Sequence, residues 1–458
     1  MTSPAKILAR TLALLVLVAC APVTEPANRR DTGIELPPMR VFSGPVTART
    51  TRSNASIARD FLDLSFSLES GRPLPVLTRF EAPITVRVTG EAPPSMITDL
   101  DRLIERFRRE AGIDIRRTGA DEPASITIET VPRRELQRAV PQAACFVVPR
   151  VTGWADFKRN RRTAQTDWTT LKVREKLSVF MPSDVPPQEI RDCLHEELAQ
   201  ALGPLNDMYH LSDSVFNDDN FHTVLTGFDM LILRTTYAPE LQSGMSREEV
   251  ARRLPALLNR LNPGGRGGSD TPRPVTSREW INEIETALGA RTVLSRRQAA
   301  AKRAVTLARA GNWNDNRLAF SLFALGRLSL GREPALALSS FLQAGAIYAA
   351  DPLTAVHAAH VAMQLAAFSL SGGQAEVAIK IVDANVPAVR QAENAALLAS
   401  LLLVKVEALL LLGRTAEAAE LQRESLGWAR YGFGPDDEVR KRASEIGALN
   451  PLRRGHAS

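Results

Sequence analysis

The C-terminal part of this 458-residue chain repeats one helical layout, and the repeat constrains the fold more than any other feature of the sequence. In each copy an apolar helix is followed by a short break at a glycine and by a second helix that has alanine on its buried side. The glycines at the breaks, Gly331, Gly373 and Gly413, lie 42 and 40 residues apart. Such a period predicts helical hairpins that share a continuous core. The copies cover residues 318–348, 355–385 and 396–428.

The turn of the third copy, residues 412–418 (LGRTAEA), resembles the turn and second helix of tetratricopeptide repeats. The resemblance implies a stack of helices that binds an extended peptide or a partner protein on its concave face. The period is longer than the roughly 34 residues of that family. A helical bundle that only supports the neighbouring domain is the alternative. We predict an all-α domain of helical hairpins, tetratricopeptide-like, over residues 277–450.

Residues 54–265 alternate strand signals with helix signals. Residues 84–88 alternate apolar with polar side chains, as a half-buried strand does, and residues 94–112 carry apolar residues at helical spacing. We therefore predict an α+β domain with one sheet and helices packed on it. A run of glycine, proline and other structure breakers follows, so residues 266–276 are predicted to be a linker.

The N-terminus has the pattern of an export signal. Lys6 and Arg10 open an apolar run that ends at Cys20 and is too short to span a bilayer. The last four residues of this run, LVAC, resemble the lipobox of bacterial lipoproteins. The resemblance implies that residues 1–19 are a signal peptide and that Cys20 carries the acyl chains, palmitate among them, that anchor the protein to a membrane. An ordinary signal peptide with an incidental cysteine is the alternative.

The same features predict where the mature protein resides. Residues 20–53 are rich in proline, threonine, serine and arginine without periodicity, which is typical of a flexible tether. We expect a lipid-anchored protein of the bacterial cell envelope that faces the periplasm. Ala21 stands where enterobacterial lipoproteins of the inner membrane have aspartate, which favours the outer membrane. The formal net charge of +6 is too small to indicate nucleic acid, and we expect none as a partner.

Two cysteines, Cys145 and Cys193, remain for the folded part of the chain. An exported chain folds in an oxidising compartment, where two cysteines are more often paired than free. A disulfide between residues 48 positions apart would stabilise the fold by about 4 kcal/mol in the chain-entropy treatment. Two buried, unpaired thiols are the alternative.

The segment CLHEELAQALGPLND contains the motif that indicates a possible metal-binding or catalytic site. Glu196, Glu197, Gln200, Gly203 and Asn206 have the spacing of the metzincin signature H-E-x-x-H-x-x-G-x-x-H. The resemblance implies a zincin-like fold and puts Glu197 at the position of the general base. Glu196, Gln200 and Asn206 stand at the three metal-ligand positions, where the family has histidine.

Neighbouring residues limit and extend this resemblance. A frame that begins at His195 puts Ala199 at the second ligand position, and alanine cannot bind a metal. Downstream, residues 214–218 (SVFND) are similar to the methionine-containing turn of metzincins, with Phe216 in place of methionine. Residues 225–237 are similar to the helix that follows this turn. We therefore predict that the α+β domain is zincin-like, or more narrowly metzincin-like.

The changed ligand positions decide what the predicted site can bind. Zinc prefers histidine nitrogen and cysteine sulfur, whereas one carboxylate with two amides suits calcium or magnesium. Loss of the imidazoles also removes the means of lowering the pKa of a bound water towards 7. We therefore predict a degenerate metal site with no resident cofactor. Zinc or another divalent ion held by Glu196, Gln200 and Asn206 is the alternative.

Several motifs together also resemble one bacterial lipoprotein family, which is known as domain of unknown function 2927 (DUF2927). They are the lipobox, the pattern E-E-x-x-Q-x-x-G-x-x-N-D, and the segments SVFNDD and DMLILRTTY. This resemblance names a family and implies no activity.

These observations leave three functions open. We expect a lipid-anchored binding or scaffold protein, with the membrane as one partner through Cys20 and a protein or peptide as another on the helical repeats. An active metallopeptidase that uses Glu197 as its general base is the alternative. A purely structural envelope lipoprotein is the third.

Overall fold

The computed structural model describes residues 36–44, 49–141, 143–268, 274–289 and 291–454. These residues belong to one compact unit, Leu36–Ser458. The signal peptide expected at residues 1–19 and the lipidation expected at Cys20 lie outside the described residues and stay predictions.

The strands of the N-terminal region are β1 (Ile84–Thr89), β2 (Ile115–Arg117), β3 (Ile126–Val131), β4 (Phe146–Pro149) and β5 (Leu177–Pro182). They form one five-stranded sheet in the order β2-β1-β3-β5-β4. All neighbours pair in parallel except β4, which lies antiparallel to β5 at one edge. Every residue of β5 is buried, as expected for a strand covered on both faces of the sheet.

The helices of the same region lie on the sheet or beside it. They are α1 (Asn54–Ser65), α2 (Pro94–Arg106), α3 (Arg133–Ala139), α4 (Trp154–Asn160), α5 (Pro187–Leu202), α6 (Gly227–Thr236) and α7 (Arg247–Leu261). A π-helical turn, Phe107–Ala111, extends α2 and ends at Gly112, whose φ of 68° is a conformation that glycine adopts without strain. Helix α5 packs against α2, β4 and β5.

A disulfide links α5 to the edge of the sheet. Cys145, just before β4, is bonded to Cys193 in α5, with a distance of 6.0 Å between their Cα atoms. The bond closes a loop that contains β4, α4 and β5. The position of α5 relative to the edge strand is therefore fixed covalently as well as by packing.

The C-terminal region is all-helical. Its helices are α8 (Arg278–Leu288), α9 (Leu294–Ala310), α10 (Asn316–Ser329), α11 (Pro334–Ala349), α12 (Ala355–Ser371), α13 (Ala375–Gln391), α14 (Ala395–Leu411), α15 (Thr415–Phe433), α16 (Asp436–Gly447) and α17 (Pro451–Arg454). From α8 to α15 each helix packs against the next. The prediction of an α+β domain followed by an all-helical domain is confirmed at a coarser level, as a region with one mixed sheet and packed helices followed by an all-helical region.

One helical stretch among the described residues, Pro352–Ser371, is long and apolar enough to cross a membrane by length and composition. It contains α12, which packs against α11, α13 and α14. Val361, Ala366 and Leu370 of this helix are buried in those contacts. A core helix of a helical region has the same composition, and 44% of this stretch is buried.

Residues 36–44, which fall within the predicted tether, lie against α15. The backbone N–H of Arg40 donates to the carbonyl of Gly427 at 2.9 Å. The rings of Phe42 and Trp428 stack with their centroids 4.3 Å apart. This part of the segment is packed because its groups meet partners that are distant in sequence, which its composition does not reveal.

The two regions share a buried interface at the first half of α5. Arg191 of α5 forms an ion pair with Glu393, which lies in the turn before α14, and both side chains are buried. The amide of Gln188 donates to Oδ1 of Asn394 at 3.1 Å. Helix α5 also packs against α15. The helical region is therefore attached directly to the helix that carries the sequence motif.

Candidate binding cleft

The motif residues of α5 are buried. Glu197 and Gln200 lie three residues apart, so they share one face of the helix, and their side chains are 4% and 6% exposed. Glu196 beside them is half-buried. Leu194 and Leu198 are buried in the core beside them. Since Glu197 and Gln200 are buried and Glu196 is half-buried, the motif is not a solvated helix surface.

Two of the three residues predicted from the metzincin-like spacing as metal ligands donate internal hydrogen bonds. The amide nitrogen of Gln200 donates to Oδ2 of Asp207 at 3.3 Å. The amide nitrogen of Asn206 donates to the backbone carbonyl of Asp63, at the end of α1, at 3.0 Å. Each amide nitrogen therefore holds a loop in place, and neither residue supplies the nitrogen ligand that an imidazole would.

A buried arginine closes the C-terminal end of α5. Nη1 of Arg174 donates to the carbonyls of Gln200 and Ala201 at 2.5 and 2.7 Å, and Nη2 donates to the carbonyl of Gly203. Burial lowers the pKa of Arg174 to about 10, so it stays charged at neutral pH. A cation at this end is favoured by the helix dipole. Nothing in the local sequence around Arg174 predicts this contact.

Five carboxylates gather beside the motif, and we call them the acidic cleft. They come from the loop after α1, from α5 and from the loop after α5. Glu69 is exposed and interacts electrostatically with each of the other four, whereas Glu197 is buried. The members are Glu69, Glu196, Glu197, Asp207 and Asp218.

Burial and the repulsion between neighbouring carboxylates raise the pKa values of the carboxyl groups in this cleft. Burial, with Glu69 and Asp218 as neighbours, raises the pKa of Glu196 to about 8. Burial and Glu69 raise the pKa of Asp218 to about 7, although Arg278 acts in the opposite direction. The pKa values of Glu197 and Asp207 are raised well above their ordinary range by burial and by the surrounding carboxylates.

Two oxygen atoms of the cleft are left without a donor. Oε2 of Glu197 and Oδ1 of Asp207 are buried, and no described residue donates a hydrogen bond to them. A buried acceptor without a partner costs about 1–3 kcal/mol, and more if it is charged. The fold keeps these two groups at that cost, which is a feature typical of binding or catalytic sites.

The residues do not fit the zinc ion that a zincin would hold. In the described part of the chain, no three histidine, cysteine or acidic side chains are arranged to ligate one metal ion. Gln200 and Asn206 act as donors, and the remaining family ligand position, Glu196, faces other carboxylates. A zinc site needs nitrogen or sulfur ligands converging at about 2.0–2.3 Å.

His195 lies outside the cleft. Its Nδ1 accepts a hydrogen bond from the backbone N–H of Leu225 at 3.1 Å, which makes the ring a support for the chain before α6. Burial, together with Arg191 and Arg106, lowers the pKa of His195 well below its ordinary value. The ring is therefore neutral and structural.

The segment around Phe216 forms a tight turn held to α6. Phe216 is fully buried, and its N–H donates to Oγ of Ser214 at 3.0 Å. Oγ of Ser214 donates in turn to Oδ1 of Asp229 at 2.5 Å, and the N–H of Val215 donates to Oδ2 of Asp229 at 3.2 Å. Asp229 also closes a capping box with Thr226 at the start of α6. One carboxylate therefore orders both the turn and the helix.

Sequence reasoning identified two of the five acidic-cleft positions as site residues and missed the others. Glu196 and Glu197 belong to the motif, whereas Asp207 only ends the segment that contains it. Glu69 lies in a loop with no pattern of its own, and Asp218 stands in the predicted turn without an assigned role. A signal for them exists only in three dimensions, because the three segments meet through folding.

Comparison with known proteins agrees with the motif evidence. Residues 54–256 match the family model described as protein of unknown function, DUF2927. No curated protein and no solved structure matches the chain. The matched residues contain the sheet, α5 and all five carboxylates of the acidic cleft, so the α/β region of this chain belongs to the DUF2927 family.

Proposed function

We propose that this chain is a lipid-anchored protein of the bacterial cell envelope whose zincin-like domain binds a partner and does not hydrolyse it. The proposal rests on the hydrogen bonds of two residues that stand at metzincin ligand positions. Gln200 and Asn206 donate hydrogen bonds to Asp207 and Asp63, and so stabilise loops. With these amide nitrogens engaged, the positions supply no nitrogen ligand for the zinc that would activate a water in zincin hydrolysis.

The zincin-like character of the domain is part of the proposal. It is supported by the spacing of the motif on α5, by the packing of α5 on a mixed sheet, and by the buried turn at Phe216 followed by α6. On this proposal the domain has the framework of a zincin but carries other residues at the metal-ligand positions.

The helical region is proposed to be a binding platform for a protein or peptide. Its helices stack in sequence order, and they are fixed to α5 through Arg191 and Glu393. Leu338 and Leu342, one turn apart on α11, are 37% and 55% exposed, which leaves apolar surface available to a partner. The tetratricopeptide-like pattern of the sequence agrees with this role.

Metallopeptidase activity is the second candidate, and one observation favours it. Glu197 stands at the family position of the general base, it is buried, and its Oε2 has no donor among the described residues. Burial raises its pKa well above the ordinary range, as is typical of carboxylates that exchange protons in catalysis.

Metal content separates the two candidates. We expect chain purified without a metal-binding tag to hold far less than one zinc per molecule and to cleave no peptide library. One zinc per chain, together with a peptidase activity that is lost on chelation and in Glu197→Gln, would overturn the proposal. Glu240→Gln, an exposed residue paired with Arg260, is the matched control.

A further inference from the structure

A cavity lies beside β4, at the edge of the sheet. Its volume of about 360 Å³ falls within the range of about 300–1,000 Å³ that is usual for small-molecule sites in proteins. Its walls come from β4, from α4, from the C-terminal end of α3, and from the loop between α4 and β5. None of the lining residues belongs to the motif of α5 or to the acidic cleft, so the cavity is a separate feature of the α/β region.

The inner wall of this cavity is apolar and largely aromatic. Phe146 and Val148 of β4 pack with Phe157 of α4 in one hydrophobic cluster, and the ring centroids of Phe146 and Phe157 are 5.2 Å apart. Phe157 and Val148 are buried, whereas Phe146 and Trp168 are only half-buried. Apolar surface is therefore left facing the cavity, and covering it removes that surface from water.

The mouth of the cavity carries two arginines without an acidic partner. Arg159 of α4, which does not line the cavity, pairs with Asp156 at 3.3 Å. Arg161 and Arg162, which line it, are exposed and form no ion pair with any described residue. Nη1 of Arg161 donates only to the carbonyl of Ala139, on the opposite wall, at 3.4 Å. The mouth is therefore positively charged and lacks a counter-charge.

The backbone of β4 argues against a further strand as the occupant. The N–H of Arg150 donates to the carbonyl of Lys176 at 2.7 Å, and the antiparallel register pairs Val147 with Val179. Because hydrogen-bonded and non-hydrogen-bonded pairs alternate in such a ladder, the N–H and C=O of Val147 point away from β5. Pro149, the other residue of β4 with this orientation, has no N–H. The free edge of β4 thus offers a single N–H donor, which disfavours pairing with an extended chain.

We propose that this cavity binds a small amphiphilic anion, an apolar chain that ends in a carboxylate or phosphate group. The apolar chain lies against Phe146 and Phe157, and the anionic group accepts hydrogen bonds from Arg161 and Arg162 at the mouth. Guanidinium groups bind both kinds of anion through paired N–H donors. The inference goes beyond the proposed partner binding and does not depend on it, because the two sites share no residue.

Calorimetric titration of residues 21–458 tests the proposal, because this chain contains every described residue and lacks both the predicted signal peptide and the predicted lipid. The probes, used below their micelle-forming concentrations, are decanoate, decyl phosphate, decyltrimethylammonium and acetate. We expect one decyl anion per chain, bound at least tenfold more tightly than the decyl cation, and no measurable heat with acetate. The two decyl anions distinguish a carboxylate from a phosphate as the preferred group.

Variants at the mouth locate the binding. The double variant Arg161→Glu with Arg162→Glu should weaken decanoate binding at least tenfold and should bind the decyl cation more tightly than decanoate. Arg161→Gln and Arg162→Gln should each weaken decanoate binding several-fold, and they serve if the double variant fails to fold. Arg159→Gln is the matched control on the same helix and should leave the affinity unchanged.

Four results would overturn the inference. They are no heat with either decyl anion, several decyl chains bound per protein chain, unchanged decanoate affinity in the double variant, and displacement of decanoate by the extended peptide acetyl-Val-Thr-Val-Thr-Val-amide. The last result would assign the edge of β4 to a partner strand. None of them affects the proposed function, whose failure is recognised separately by stoichiometric zinc and peptidase activity.

Discussion

Arg191 in α5 and Glu393 in the turn before α14 form an ion pair between two side chains that are both buried. Glu393 has a φ of 51°, in the left-handed region, which costs a residue with a Cβ about 1–2 kcal/mol. The pair fixes the helical region against the helix that carries the acidic cleft. The strained turn is kept because its carboxylate neutralises a guanidinium that would otherwise be buried alone.

Removal of one partner of this pair should destabilise the protein strongly. Arg191→Ala leaves Glu393 buried without a counter-charge, and we expect a loss of about 3–5 kcal/mol in the free energy of unfolding. Urea denaturation measures this loss. Arg303→Ala is the control, because Arg303 pairs with Glu283 in a more exposed position, where such pairs contribute about 0–1 kcal/mol.

The double variant Arg191→Leu with Glu393→Gly tests whether an uncompensated buried charge causes this loss of stability. It buries no charge, and glycine adopts a positive φ without strain. We expect it to be more stable than Arg191→Ala alone. If the double variant were the less stable of the two, the cost could not be assigned to an uncompensated charge.

The disulfide should contribute measurably to stability. Cys145 and Cys193 are 48 residues apart, and a crosslink over such a loop stabilises a fold by about 4 kcal/mol in the chain-entropy treatment. The variant with both cysteines changed to alanine should lose stability of that order in chemical denaturation. Peptide mapping without reductant should recover the crosslinked pair from exported protein, and two alkylatable thiols would contradict the pairing.

The sequence predicted those parts of the fold that depend on local patterns. The helical hairpins follow from apolar spacing and from glycines such as Gly373 and Gly413, whose φ values of 75° and 74° fit the turns after α12 and α14. The packing of Phe42 on Trp428 could not be predicted, because it joins residues at opposite ends of the chain. Composition predicted that residues 20–53 form a flexible tether. Residues 36–44 of this segment are instead packed against α15.

The site was predictable only in part for the same reason. The motif gave Glu196 and Glu197 through their spacing on one helix. The positions of Glu69 and Asp218 depend on how two loops fold over α5, and neither loop has a periodic signal. The motif also singled out Gln200 and Asn206, but the hydrogen bonds that engage their amides became visible only in the structure.

Three histidines form a second titratable group between the loop after α5 and α12. Nε2 of His357 and Oδ2 of Asp219 lie 2.8 Å apart in a buried pair. The rings of His222 and His357 have centroids 5.6 Å apart. Burial, with a contribution from His357, lowers the pKa of His222 to about 4 and that of His360 to about 3. Both of these rings are therefore neutral in the folded protein at pH 7.

These lowered pKa values predict a loss of stability in acid. The unfolded chain protonates each ring near pH 6.5, whereas the folded chain does so only near pH 4 or 3. Stability should fall as the pH drops below about 6.5, by at most about 1.4 kcal/mol per pH unit and ring. Denaturation of His222→Gln and His360→Gln at pH 7 and pH 5 should show a smaller drop than the natural protein. An unchanged drop in both variants would refute the assignment.

The anchor is tested by one substitution outside the described residues. Cys20→Ala removes the thiol that a lipoprotein would acylate, so exported protein should leave the membrane fraction or accumulate uncleaved. Fractionation after a salt wash measures this. Membrane association that survives the change would exclude lipidation at Cys20 as the anchor.

The acidic cleft should change stability with pH in the opposite direction to the histidines. A single variant separates the two effects. Burial and the neighbouring carboxylates raise the pKa of Glu196 from 4.5 to about 8. Between these values the folded chain holds a proton that the unfolded chain releases. Stability should therefore fall as the pH rises from about 4.5 to 8, by at most about 1.4 kcal/mol per pH unit for this group.

Glu196→Gln removes this carboxylate and keeps its shape. We expect the variant and the natural protein to be about equally stable at pH 5, where the folded carboxyl is already neutral. At pH 8 the variant should be the more stable one, because it has no charge to form in the cleft and no longer repels Glu197 and Asp207. Urea denaturation at pH 5, 6, 7 and 8 measures the difference, with Glu445→Gln on α16 as the exposed control. Parallel curves for Glu196→Gln and the natural protein across this range would show that Glu196 ionises in the folded state as readily as in the unfolded one, and the electrostatic account of the cleft would then be wrong.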